Sequence, residues 1–170
     1  MDEIILVDIY DNQIGTIEKL AAHKKPLLHR AFSVFVMDGD SVLIQKRAQS
    51  KYHSGGLWAN ACCSHPRDSE DLQEAVGRRL AEEVGISTDV APEELFSFVY
   101  QHKFHQDLYE YELDHVFVLD YAGPISANPE EIAETRWIPK ADLAKELVEE
   151  PEKFAPWFLI AAPAVLKMCR

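Results

Sequence analysis

Hydrophobic and polar positions alternate along much of this chain, and the period of the alternation changes from segment to segment. Ile4 to Ile9 reads as a strand, ended by a polar turn at Asp11, Asn12, Gln13 and Gly15. Ala31 to Met37 is a second run of β type, and Asp38-Gly39-Asp40 turns it back into Val42-Leu43-Ile44, which predicts a hairpin. Residues 47–70 are rich in Gly, Ser, His and Pro and read as loop, with one short strand around Trp58 to Cys62. From Glu70 to Val84 the spacing becomes helical, and Gly85 supplies a stop. Leu95 to Phe104 and Tyr109 to Leu119 predict two more strands, and a short one at Arg136-Trp137-Ile138 ends at Pro139. Helices over Lys140 to Glu149 and Trp157 to Met168 close the chain, the second with a kink expected near Pro163. This mixture predicts an α/β (α+β) fold, a mixed β-sheet sandwiched by helices, as a single domain over residues 1–170.

Composition narrows the function. The chain has 170 residues, 47% hydrophobic and 27% charged, which excludes a disordered tail, a fibre and a repeat array. A net charge of −12 argues against a nucleic-acid partner, so a phosphate ligand must be met by a few cations gathered in one place. Three cysteines, two of them adjacent, do not make a disulfide framework and point to a reducing compartment. The start of the chain has no basic flank and too short an apolar run for a signal peptide. The longest late apolar stretch, Trp157 to Leu166, is broken by Pro163 and falls short of the roughly 20 residues a bilayer needs. A cytoplasmic monomer without a membrane partner is expected.

The chemistry shows first where a helix breaks its own pattern. On a wheel advancing ~100° per residue, Leu72, Ala75, Val76, Leu80 and Val84 share one face, yet Arg79 and Glu83 fall in its middle. Charges on an apolar face are costly unless paired or metal-bound. A carboxylate offered inward suits Mg²⁺, which binds through one or two carboxylates plus substrate phosphates. Arg78 and Glu82 form a second pair on a more solvated side. In the alternating run Tyr109 to Asp114, Glu110 and Glu112 share one strand face about 6.5 Å apart. His23 and His29 frame residues 24–28, and His65 lies two positions past Cys63. Three imidazoles and two carboxylates suit Mn, Zn, Fe or Mg in a near-octahedral site, although spacing alone does not unite them. His53, His102, His105 and His115 read as ordinary polar or core histidines. Cys62 reads as an inert buried thiol, Cys63 as the more reactive of the pair.

Glu70, Arg78, Leu80, Glu82, Glu83, Gly85 and Ile86 resemble the Nudix box, with Ser64 in place of its Gly and Arg79 in place of a Glu. The Arg79 exchange speaks against hydrolysis, which uses clustered carboxylates, and sets a cation toward a diphosphate. The segments Glu18 to His23, Lys46 to Lys51, Trp58 to Pro66, Tyr109 to Glu112 and Pro156-Trp157 are similar, in this order, to those of the type 1 isopentenyl-diphosphate isomerases. The likeness runs from about Ile4 to Trp157; the interval from His23 to His29 is one residue shorter than the family's, so alignment supports His29 least.

The resemblance implies a Nudix-type α/β/α sandwich that interconverts isopentenyl and dimethylallyl diphosphate in isoprenoid biosynthesis. It implies Cys63 and Glu112 as proton carriers, Tyr100 beside Glu112, and Trp157 as the aromatic face for a carbocation. It implies a divalent metal on His23, His29, His65, Glu110 and Glu112, and Mg²⁺ arriving with the diphosphate on Glu83 and the carbonyl of Cys63. Lys19, Arg47, Lys51 and Arg79 would meet the diphosphate oxygens. The alternative on the box alone is a Nudix pyrophosphohydrolase acting on a nucleotide.

Overall fold

In the computed structural model, which describes residues 3–170 (the side chain of Gln106 excepted), the first elements are β1 (Glu3–Val7), β2 (Gln13–Glu18), α1 (Lys19–Lys24), β3 (His29–Asp38), β4 (Ser41–Arg47), β5 (Trp58–Asn60) and β6 (Cys62–Ser64). They are followed by α2 (Leu72–Val84), β7 (Glu93–Lys103), β8 (Tyr109–Asp120), β9 (Ile132–Pro139), α3 (Lys140–Glu149) and α4 (Pro156–Met168). All nine strands of the described residues belong to one mixed sheet organised around β3. Along one edge β3 runs parallel to β8, from His29 opposite Glu112 to Met37 opposite Asp120. Along the other edge it pairs antiparallel with β6 at Phe32 to Val34, then with β4 at Val36 to Asp38. β7 extends the sheet beyond β8, β5 and β9 extend it beyond β4, and the β1–β2 hairpin joins at Leu6 opposite His29.

Because side chains alternate across a strand, β3 feeds two cores at once. Phe32, Val34 and Val36 pack with Leu43, Phe117 and Leu119 against Ala75, Val76, Leu80 and Val84 of α2. Phe35 and Met37 pack on the opposite side with Val116 and with Phe158, Ala161 and Val165 of α4. Helices therefore cover both faces, giving the expected α/β/α layering. The same alternation separates the two neighbouring cysteines. Cys62 joins the α2 side, whereas Cys63 turns toward the α4 side.

The α2 boundaries follow from their caps. Asp71 accepts from the backbone N–H of Gln73, so the helix begins at Leu72 and not at Glu70. Gly85 ends it in the left-handed region at φ 69°, where a Cβ would lie 2.8 Å from that of Ser126.

The expected hairpin closes through the Gly39-Asp40 turn, Asp38 facing Ser41. Other boundaries differ. β1 ends at Val7 because Asp8 folds the chain back through Tyr10 and Asn12 N–H groups, leaving Ile9 exposed. Residues 13–18, where the polar residues and Gly15 predict a turn, form β2, paired with β1 from Glu3 opposite Glu18. α1 has no counterpart in the sequence pattern: its six residues are too few to show a period, and Glu18 caps it by accepting from Leu20 and Ala21. The short strand around Trp58 is two strands broken at Ala61, and the one at Arg136 extends over Ile132–Pro139. The last helix runs through Pro163 from Pro156 to Met168. Among the described residues, no helix is long and apolar enough to cross a membrane.

Candidate active site and metal centre

His23 on α1, His29 at the start of β3, His65 just after β6 and Glu110 and Glu112 on β8 converge, one ligand atom from each lying within 4.8 Å of the others. The parallel register places His29 beside Glu112, and the strand period turns Glu110 to the same face. The Nδ1–H of His23 donates to the carbonyl of Lys19 at 2.6 Å, and that of His29 to the carbonyl of Leu27 at 2.8 Å. Each imidazole thus aims its Nε2 lone pair inward, the orientation that metal-ligating histidines take from a backbone carbonyl.

These residues fit a divalent cation. His23 Nε2 lies 3.0 Å from Glu110 Oε1, and His65 Nε2 lies 3.0 Å from Glu112 Oε1. Nε2 of His29 and Oε2 of Glu110 are buried without a hydrogen-bond partner among the described residues. Inward lone pairs facing buried carboxylate oxygens form a donor set that a divalent cation would satisfy, taking imidazole nitrogen and carboxylate oxygen together. His29 sits in the cluster on equal terms with the others, despite its shorter approach from His23.

His65, Glu110 and Glu112 of the cluster line a cavity of about 590 Å³, counted to its open mouth. Cys63, Tyr100, Glu112 and Trp157 line it, as do Lys19, Arg47, Lys51, Arg79 and Glu83. Cys63 and Glu112 reach it from strands on either side of β3, Cys63 opposite Ser33 and Glu112 opposite His29. Burial pushes the Cys63 thiol well above its ordinary range, partly offset by Arg47. Burial would also raise the Glu110 carboxyl, but the imidazoles of His23, His29 and His53 gathered around it win and hold it well below the usual range. Tyr100 donates to Glu112 Oε2 at 2.9 Å, and its phenol is kept neutral by burial and by Glu112. The indole N–H of Trp157 donates to Asn60 at 3.1 Å, and the guanidinium of Arg47 stacks over the ring at 5.1 Å.

A second, more polar cavity adjoins the first through Lys19, Lys51, Ser64, His65, Arg79 and Glu131. Three of the four cations expected to meet an anion, Lys19, Lys51 and Arg79, are thus collected at one end, while Arg47 lies against Trp157. Glu131 holds two of them, accepting from Lys51 at 2.5 Å and lying 3.7 Å from Arg79. Glu83 is buried on α2 as its place on the wheel predicts, bonded to Arg79 and 3.3 Å from Gln45 Nε2. Burial raises its carboxyl, with Arg79 opposing.

One expectation is corrected and another is extended. His53 is no ordinary histidine: its Nε2 lies 2.6 Å from Glu110 Oε1, and its ring stacks on Phe104 and meets Trp157 edge-on. Its neighbour Tyr52 brings its hydroxyl within 3.1 Å of His23 Nε2. The signal in the sequence is their position directly after Lys51, next to a segment that the family resemblance assigns to the site. Arg78 pairs chiefly with Glu70, at 2.6 and 2.9 Å, and only secondarily with Glu82 at 3.3 Å, because Arg79 claims that carboxylate at 2.8 Å. Of the remaining histidines, His115 bridges Asp11 and Glu94 away from the cavity, and His102 and His105 are exposed.

Comparison with known proteins places this geometry among relatives. A family model for the NUDIX domain matches residues 27–158. The chain is 43% identical over 170 residues to Isopentenyl-diphosphate Delta-isomerase 2 of Aromatoleum aromaticum, covering 99% of this chain and 88% of that protein. It is 45% identical over 158 residues to the Isopentenyl-diphosphate Delta-isomerase of Burkholderia multivorans, covering 92% and 89%. Among solved structures, DR0079 from Deinococcus radiodurans superposes with a TM-score of 0.78 at 19% identity, covering 96% of this chain and 98% of that one. The MutT protein from Methanosarcina mazei Go1 gives 0.64 at 16% identity, covering 83% and 94%. At these identities the two structures share the fold alone.

Proposed function

The chain belongs to the isopentenyl-diphosphate Delta-isomerases of the NUDIX superfamily, and from that premise we propose that it interconverts isopentenyl diphosphate and dimethylallyl diphosphate. The observation that carries the reading is that Cys63 and Glu112 face one cavity from opposite sides of β3, and Trp157 lines the same cavity. One carrier delivers a proton to the first end of the alkene, leaving a tertiary carbocation, and the other removes a proton from the far side. One C–H bond forms, one breaks, and the double bond moves by one position.

The thiol is a weak acid made weaker by burial, so the transfer depends on stabilising the cation. An aromatic face contributes ~2 kcal/mol or more when desolvated, and the Trp157 indole already carries the Arg47 guanidinium against its ring. Burial of the surrounding side chains keeps water from trapping the cation as an alcohol. Tyr100 fixes one oxygen of Glu112 and leaves the other toward His65.

His23, His29, His65, Glu110 and Glu112 would hold a divalent ion, Mn, Zn, Mg or Fe, which when bound neutralises the paired carboxylates and tunes the acidity of Glu112. Glu83, with the carbonyl of Cys63, would receive the Mg²⁺ of the incoming diphosphate. Lys19, Arg47, Lys51 and Arg79 would take its oxygens, the planar guanidinium groups in bidentate fashion. Nucleotide hydrolysis is not favoured, because Arg79 stands among the carboxylates that such chemistry would use. Three free thiols support a reducing, cytoplasmic setting for the reaction.

Proton NMR of isopentenyl diphosphate incubated with the protein is expected to show the allylic product, and chelation to stop its appearance. Phosphate release from a nucleoside diphosphate derivative, without prenyl isomerisation, would defeat the reading.

A further inference from the structure

We propose that Asn60 is a positioning residue that fixes the Cys63 thiol and the Trp157 indole relative to one another; the inference rests on the isomerase reading above. Asn60 closes β5, shows no exposed surface, and has each polar atom engaged. Its Nδ2 donates to the carbonyls of Cys62 at 2.7 Å and Val34 at 3.3 Å. Both amide hydrogens are thereby committed to backbone that cannot move without breaking the sheet. The amide cannot flip, because reversal would set its oxygen against two carbonyls and its NH₂ against the indole N–H.

The oxygen left facing the cavity is shared. It accepts from Trp157 Nε1 at 3.1 Å and from Cys63 Sγ at 3.8 Å. One atom therefore sets the separation between the proposed proton donor and the proposed cation stabiliser. The two bonds differ in kind. The indole bond is a normal one and holds the ring. The thiol is a weak donor, so its bond selects a rotamer while leaving the proton free to swing toward substrate. The backbone supports the same tie, since Ala155 N–H donates to the Trp58 carbonyl at 2.9 Å and anchors the start of α4 on β5. These Asn60 bonds all go to groups other than the cations that would hold the diphosphate.

The test compares Asn60→Leu and Asn60→Asp, each in the native chain and in Trp157→Phe, by initial rates of isomerisation and by thermal melting. Asn60→Leu is expected to lower kcat about 100-fold, the scale of a misplacement near 1 Å. KM should stay within about threefold, since Asn60 itself bonds to none of the four cations proposed for the diphosphate. Asn60→Asp keeps an acceptor oxygen and should recover at least about tenfold of that loss. In Trp157→Phe, which has the ring without the N–H, Asn60→Leu should cost at least about tenfold less, because the shared tie is already gone. Should the Leu variant fail to fold, Asn60→Ser, whose oxygen falls short of both partners, takes its place with the same expectations. A kcat within about threefold of native in the folded Leu or Ser variant, or equal losses across both substitutions and both backgrounds, overturns the proposal. A native chain that isomerises nothing would instead defeat the isomerase reading, so the two failures are told apart.

Discussion

At the level of single residues, the neighbouring cysteines show how strand geometry assigns chemistry. Cys62 and Cys63 are equivalent as letters, but the two-residue period of β6 buries one under α2 and turns the other into the cavity. Cys63→Ala is expected to reduce isomerisation about a thousandfold or more, the range of a lost general acid. Cys62→Ala should keep most activity and cost about 1 kcal/mol of stability for the removed sulfur. Parallel rate and melting measurements on the two variants check both, and an active Cys63→Ala enzyme would reassign the proton donor. The same period makes Glu110 and Glu112 legible as a pair in the sequence, since alternation over Tyr109 to Asp114 admits one arrangement. His53 is not legible in this way. It lies on a loop, where no period links sequence position to direction, and its bond to Glu110 spans 57 residues of chain.

At the level of elements, α2 shows which charges a helix can bury. Glu83 is sheltered because Arg79 shares its turn, whereas Arg78 reaches back eight residues to Glu70 in a two-bond clasp. The clasp depresses the Glu70 carboxyl below its ordinary value, first through Arg78. A carboxyl lowered in the folded state adds stability above its unfolded pKa and loses it as pH falls through the folded one. Glu70→Gln should therefore cost about 0.5–1 kcal/mol at pH 7, and the difference from the native chain should shrink as pH falls below the ordinary carboxyl range and vanish once the folded carboxyl is protonated. Urea titrations across that range measure it; a gap that persists in acid would place the stabilisation elsewhere. Long periodic elements such as α2 and β8 are legible in the sequence, as is the turn after β3. β2 and α1 are not, because Gly15 and the polar turn residues mask pairing that β1 alone provides.

At the level of the whole molecule, the ligand cluster ties together parts of the chain that local pattern could not connect. Residues 23, 29, 65, 110 and 112 meet only because β8 returns beside β3 after the long connection through α2 and β7. Removing the proposed ion should loosen this convergence. With free metal at 100 times its Kd, the bound form gains about 2.7 kcal/mol over the unfolded chain, a melting shift of roughly 5–10 °C. Calorimetry with and without a chelator reads that shift, and unchanged melting together with unchanged activity would place any required ion outside the cluster.

Register carries one more consequence. His29 and Glu112 are opposite partners in a parallel pair, so their meeting depends on alignment and not on nearness in sequence. Inserting or deleting a single amino acid just after Glu112, with the rest of β8 held by Val116, Phe117 and Leu119 in the cores, would turn both acids toward the wrong layer while leaving the chain's inventory of donors intact. A chain of this design tolerates almost no change of length at its centre, and its loops are where additions must accumulate.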